Sequence, residues 1–160
     1  MSQTALFSIQ GPFPKSPRLS SQKQKKEEDH HPPLILVVED NLINLQVICK
    51  LLSLLSVRFE TANNGYVALQ KFQEKCYDLI LMDLHMPVMD GFQSAEAIRT
   101  YEIDSKRTKQ TPIVALTASV MLEVRKKCIS FGMNDLLPKP VLLDTLKLAI
   151  EKWTKTEKFD

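Results

Sequence analysis

From Leu34 onward, short apolar runs alternate with segments whose apolar residues recur every three or four positions. This is the rhythm of strands and helices alternating through a parallel sheet. The apolar runs predict strands at Leu34 to Val38, Val57 to Ala62, Leu79 to Met82, Ile113 to Leu116 and Asp135 to Leu137. Between the first two, Leu42, Leu45, Cys49, Leu52 and Leu55 recur at helical spacing, and Ile43, Val47, Leu51 and Leu54 form a second stripe. That helix is apolar on more than one side, and burial of both stripes by the sheet and a neighbouring helix is the simplest reading. Further helices are predicted over Tyr66 to Lys75, Gly91 to Tyr101, Val120 to Phe131 and Leu142 to Thr154. The last carries Leu142, Leu146, Ala149, Ile150 and Trp153 on one face as a core stripe. Gly132 reads as a helix stop, and Asn63, Asn64 and Gly65 as a turn.

The βα units in this order predict an α/β fold, a flavodoxin-like (βα)5 three-layer sandwich around a five-stranded parallel sheet of order 2-1-3-4-5. The domain is expected over residues 34–156, with a short tail at 157–160. Ahead of it, Pro12, Pro14, Pro17, Pro32, Pro33 and the charged run from Lys23 to Asp29 leave little to bury. A disordered leader or linker is therefore expected over residues 1–33.

The length of 160 residues suits one domain plus a tail. The formal charge of +2 arises within residues 12–33 and leaves the rest neutral, so no nucleic-acid-binding face is expected. No apolar run approaches the roughly 18 residues of a membrane span. Cys49, Cys76 and Cys128 form no C-x-x-C pair. They are expected to be structural and buried in a cytoplasmic, reducing setting, without zinc.

Ligands of an open parallel sheet bind beyond the carboxyl ends of its strands. The first predicted strand ends at Glu39 and Asp40, the third at Asp83, the fourth at Thr117, and the fifth runs into Lys139. Crowded carboxylates repel unless a cation compensates. Oxygen ligands without histidine or cysteine partners favour Mg²⁺, or Mn²⁺, over zinc. An aspartate beside such an ion can attack phosphorus and form an acyl phosphate. Lys139 and Thr117 would supply a cation and a hydroxyl to the transferring oxygens. Singly, each residue also reads as a helix cap, a strand-end hydroxyl or a solvated charge; together they form a set.

The stretches Val37-Val38-Glu39-Asp40-Asn41, Leu81-Met82-Asp83-Leu84-His85-Met86-Pro87-Val88-Met89-Asp90-Gly91, Thr117-Ala118 and Lys139-Pro140 closely resemble, in order, the motifs of response regulator receiver domains. The resemblance covers about Leu34 to Trp153. It implies that Asp83 is the phosphoacceptor, that Glu39, Asp40, Asp83 and the backbone carbonyl of His85 bind Mg²⁺, and that Thr117 and Lys139 hold the phosphoryl group. It also implies a sensor histidine kinase or histidine phosphotransfer protein as phosphate source, and a signalling domain rather than an enzyme acting on outside substrates.

Many members of the family place an aromatic residue three before the lysine; here that residue is Leu136. Few residues follow Pro140, so the output is expected to be contact with a downstream protein target, with phosphorylation moving Thr117 and the helix after it. Leu136-Leu137-Pro138-Lys139-Pro140 resembles receivers of hybrid kinases, and Thr4 to Pro14 resembles the end of a kinase ATP-binding domain, so the chain could be a fragment of one. The rival enzyme reading is a Mg²⁺-dependent phosphohydrolase with Asp83 as covalent nucleophile. Such enzymes usually place a second acid two residues on, where this chain has His85.

Overall fold

The computed structural model describes residues 31–154; the expected leader up to residue 30 and the expected tail lie outside the described residues. Strands β1 (Leu34–Val38), β2 (Arg58–Ala62), β3 (Leu79–Asp83), β4 (Ile113–Thr117) and β5 (Asp135–Pro138) alternate with helices α1 (Leu42–Leu54), α2 (Gly65–Glu74), α3 (Gly91–Asp104), α4 (Leu122–Ser130) and α5 (Leu143–Thr154). All pairings are parallel, in the expected order β2-β1-β3-β4-β5.

Successive strand residues face opposite sides of a sheet, and a sheet covered on both sides needs both sets apolar. Leu36, Val38, Ile80, Met82, Ile113 and Ala115 accordingly join the core shared with α2, α3 and α4 through Phe72, Ile98 and Cys128. Ile35, Val37, Leu79, Leu81, Val114 and Leu116 pack instead with Ile48 and Leu52 of α1 and Leu146 and Ile150 of α5. The three central strands are therefore continuous apolar runs.

Three strands extend one residue beyond their apolar runs. Asp83 pairs with Leu116, and Thr117 pairs with Pro138. The ladder is made by the backbone, so it continues through polar side chains and stops only when partners run out. In contrast, α4 begins two residues later than its apolar pattern suggests. Thr117 and Ser119 hold the chain in a turn there, the Ser119 N–H donating to Thr117 Oγ1 at 3.1 Å. Gly132 closes α4 with φ +80 and its N–H on the Ile129 carbonyl, as the helix stop required.

The expected burial of both α1 stripes is not found. Ile48 and Leu52 are its buried residues, while Leu42, Ile43, Val47 and Leu54 are exposed. One helix lying on a sheet buries a single arc, and α5 covers its own part of that face instead of α1's second stripe. In α5, Leu146, Ala149 and Ile150 are buried as expected, but Leu142 precedes the helix and is exposed. Cys128 is buried and Cys49 partly so; Cys76 is exposed because it lies in the turn beyond α2, off the sheet.

Away from the strand ends that carry the candidate chemistry, Arg99 ties three segments together. Its guanidinium meets Glu102 at 2.7 Å, the Thr111 and Gly132 carbonyls at 2.9 Å each, and Asn134 Oδ1 at 3.0 Å. A buried arginine with all three guanidinium nitrogens engaged fixes α3 against the start of β4 and the α4 to β5 turn.

Candidate functional site

Glu39 and Asp40 follow β1 directly, Asp83 and Thr117 are the last residues of β3 and β4, and Lys139 follows β5. One carboxylate oxygen from each of Glu39, Asp40 and Asp83 lies within 4.8 Å of the others. The Lys139 ammonium lies 2.7 Å from Glu39 Oε2 and 2.9 Å from Asp83 Oδ1. Four of the expected side chains are thus gathered. Thr117 is joined to them through the backbone, its carbonyl accepting the Lys139 N–H at 2.7 Å. Its hydroxyl turns elsewhere, donating to the Ser119 carbonyl at 3.0 Å.

Local sequence explains how Glu39 is held. Asn41 caps α1, its Oδ1 accepting the N–H groups of Ile43 and Asn44 at 3.0 and 3.1 Å. The Asn41 N–H and the Asn44 side-chain amide both donate to Glu39 Oε1 at 3.3 Å. Glu39 is 1% exposed, and its Oε2 is buried with no hydrogen-bond donor. The nearby Lys139 ammonium makes an ion-pair contact there without hydrogen-bond angles. Asn41 and Asn44 escaped sequence reasoning as site residues, although an asparagine just before an apolar helical run is a capping signal.

The loop after Asp83 is set by backbone contacts. The Gly91 N–H donates to the Leu84 carbonyl at 3.1 Å, and the Gly65 N–H to that of Met89 at 3.0 Å. Asp90 caps α3 in a capping box with Gln93. A Cβ on Gly91 would lie 2.1 Å from the Asp83 carbonyl oxygen, so only glycine lets the loop close this tightly. His85 is exposed, and its N–H faces Asp83 Oδ1 at 3.4 Å.

Burial alone would lower the pKa of Lys139. Close contacts with the negatively charged Glu39 and Asp83 outweigh that and leave it above its ordinary value. The ammonium therefore stays charged at neutral pH. A buried, donorless oxygen beside two further carboxylates, with no nitrogen or sulfur ligand among them, suits a hard divalent cation. A mostly apolar cavity of about 190 Å³ adjoins the site between His85, Phe92, Thr117 and Val124. A larger one of about 450 Å³, by Cys76, Arg107 and Thr111, lies away from these groups.

The sequence from residue 35 to 151 matches the family model of the response regulator receiver domain. The chain belongs to that family. It is 44% identical over 123 residues to hybrid signal transduction histidine kinase B of Dictyostelium discoideum, covering 72% of this chain and 6% of that one. With sensor histidine kinase GacS of Pseudomonas protegens it shares 42% identity over 117 residues, covering 73% of this chain and 13% of the relative. The receiver thus corresponds to a small part of these longer proteins.

Among solved structures, it resembles the receiver domain of a Pseudomonas aeruginosa sensor histidine kinase with magnesium coordinated in its active-site cleft. The TM-score is 0.70 at 36% identity, over 79% of this chain and all of that one. It also resembles the Saccharomyces cerevisiae complex of the histidine phosphotransfer protein Ypd1 with the Ssk1 receiver domain, at TM-score 0.73 and 36% identity over 79% of this chain and 92% of the other. In this receiver, Leu136 is buried in the core alongside Cys128 and Met133. No described helix is long and apolar enough to cross a membrane.

Proposed function

We propose that this receiver accepts a phosphoryl group on Asp83 from a phosphohistidine on a sensor kinase or histidine phosphotransfer protein. It then signals by contact with a downstream protein. The observation that carries this reading is the Lys139 ammonium lying between Asp83 and Glu39, with Asp40 completing the acidic cluster. In the transfer, the P–N bond of the donor breaks as a P–O bond to the Asp83 carboxylate forms. The imidazole nitrogen keeps the bonding pair and takes a proton from solvent.

Lys139 orients Asp83 for attack and then faces the oxygens of the arriving group as their charge develops. Thr117 gives up its bond to Ser119 and donates to the phosphoryl group. Glu39, Asp40, Asp83 and the His85 backbone carbonyl would hold Mg²⁺, or Mn²⁺, which supplies further charge neutralisation at those oxygens. Asn41 and Asn44 keep Glu39 turned toward the centre. The reaction modifies the receiver itself and turns over no outside substrate.

The partner is supported by the similarity to a receiver solved with Ypd1. The exposed Leu42, Ile43 and Val47 of α1, beside a small groove at Val47, Pro140 and Val141, offer it an apolar face. A cytoplasmic setting fits the three free cysteines. The domain boundaries at residues 34 and 156 belong to the same proposal. Label moving from a phosphorylated histidine phosphotransfer protein to the chain, in Mg²⁺ and only with Asp83 intact, would support the reading. Transfer that persists in Asp83→Asn would overturn it.

A further inference from the structure

The larger cavity, of about 450 Å³, lies at the amino ends of β3 and β4, the end of the sheet opposite the acidic cluster. The loop between α3 and β4 lines it with three cations, Lys106, Arg107 and Lys109. Among the described residues, none of the three has an ion-pair partner. Asp78 is the one carboxylate among the described lining residues, and its Oδ2 already accepts the Leu34 N–H at 2.8 Å. Glu102, near the end of α3, is spent on Arg99 and on the Thr111 N–H, at 2.7 Å each. Three cations against one carboxylate leave the lining with two positive charges in excess.

Arg107 is held in place before any ligand arrives. Its guanidinium lies 4.2 Å from the centre of the Phe72 ring and 5.4 Å from that of Tyr101, and one Nη donates to the Phe72 carbonyl at 3.0 Å. These contacts fix the side chain without neutralising it, so its charge and its other N–H groups remain available. Packing over Phe72 accounts for the arginine but not for the two exposed lysines beside it. Beyond Lys106, at φ +54, the backbone N–H groups of Thr108, Lys109 and Gln110 have no acceptor among the described residues. Like charges gathered without an acid repel one another, and a bound anion relieves that.

Volume and chemistry narrow the ligand. A cavity of this size admits a small molecule and not a folded partner. A guanidinium fork, ammonium groups and free backbone N–H groups together suit phosphate oxygens. Cations spread over four residues of chain match several linked phosphates better than one. Tyr77, the aromatic residue of the lining, is 4% exposed, so a nucleobase finds no open ring to stack on. We propose that this cavity is a binding site for an oligophosphate, free or as the tail of a nucleoside triphosphate, separate from phosphate acceptance at Asp83. Arg107 holds the phosphate chain by its fork, and Lys106 and Lys109 neutralise it on either side.

The test is an amide NMR titration of the whole chain in EDTA at constant ionic strength, where the metal-free carboxylates of Glu39, Asp40 and Asp83 repel anions. The probes are tripolyphosphate, ATP, AMP and a tetraglutamate peptide. Tripolyphosphate is expected to give saturable shifts confined to residues 76–78 and 106–112, with AMP about tenfold weaker. Joint Lys106→Gln and Lys109→Gln substitution changes only exposed side chains. It is expected to keep Tm within about 2 °C while weakening tripolyphosphate binding about tenfold. Arg107→Lys, which keeps the charge and loses the fork, is expected to weaken it about fivefold.

Tighter binding of tripolyphosphate than of ATP assigns the site to the free oligophosphate, and ATP bound at least as tightly assigns it to a nucleotide; both uphold the site. No saturable shift below about 5 mM overturns the proposal, as do shifts scattered away from the cavity. Tripolyphosphate binding unchanged in the lysine pair overturns it too, and if that pair lowers Tm further than expected, unchanged binding in Arg107→Lys does so instead. AMP bound as tightly as tripolyphosphate removes the need for linked phosphates and overturns the assignment. Tetraglutamate bound as tightly overturns it in favour of an acidic-peptide surface.

Discussion

Lys139 Nζ lies 2.9 Å from Asp83 Oδ1, and the same ammonium reaches Glu39 Oε2 at 2.7 Å. One cation thus holds two buried carboxylates that would otherwise repel each other. Burial pulls the Lys139 pKa down, but its two acidic partners push it above the ordinary 10.5. A raised lysine pKa contributes stability that is complete below the unfolded value and is lost as pH rises through the folded one. Lys139→Met is therefore expected to lower stability in urea unfolding at pH 7 by about 2 kcal/mol. The difference should persist to about pH 10.5 and shrink only above it. A difference that vanished near neutrality would contradict the pairing.

Gly91 is the tightest steric point of the loop that shapes the cleft, since an added Cβ meets the Asp83 carbonyl at 2.1 Å. That oxygen belongs to the backbone of β3 and has no rotamer to escape into. Gly91→Ala is expected to cost about 3–4 kcal/mol in chemical denaturation and to weaken Mg²⁺ binding followed by NMR titration. Wild-type stability would show that the loop can relax where the geometry says it cannot.

Charge placed on the exposed face of α1 separates docking from chemistry. Ile43→Asp and Val47→Glu alter side chains that the fold leaves exposed, so stability should change by less than about 0.5 kcal/mol. Transfer from a phosphorylated histidine phosphotransfer protein is expected to slow by about tenfold or more, with small-donor phosphorylation unchanged. Equal loss with both donors would mean that the substitutions disturb the fold.

The Thr117 hydroxyl is bound to Ser119, and α4 starts at Leu122, with Met121 at the N-cap position giving no side-chain cap. Turning Thr117 toward a phosphoryl group would release that turn and shift the first turn of α4. Amide NMR shifts are expected to change from Ser119 into α4 on phosphorylation. Unchanged positions through Ser130 would send the signal by another route.

The sheet order and the two-sided core were legible because three buried parallel strands must be apolar at every position, a pattern no exposed segment shows. Glu39, Asp40, Asp83, Thr117 and Lys139 were legible because each stands where an apolar run breaks. The exact strand ends were not, since backbone pairing carries Asp83 and Thr117 into the ladder whatever their side chains. Nor was the exposure of Ile43, Val47 and Leu54: apolar periodicity reports that a face is apolar, not whether this domain covers it. The positive φ at Val88 was hidden because a motif names residues and leaves their φ angles unstated.

Phosphate acceptance by Asp83 is tested most directly by intact-mass measurement after incubation with Mg²⁺ and a small phosphodonor, comparing wild type with Asp83→Asn. Addition of one phosphoryl group to wild type and none to the variant is the expected result. No addition to wild type, or equal addition to both proteins, would contradict it.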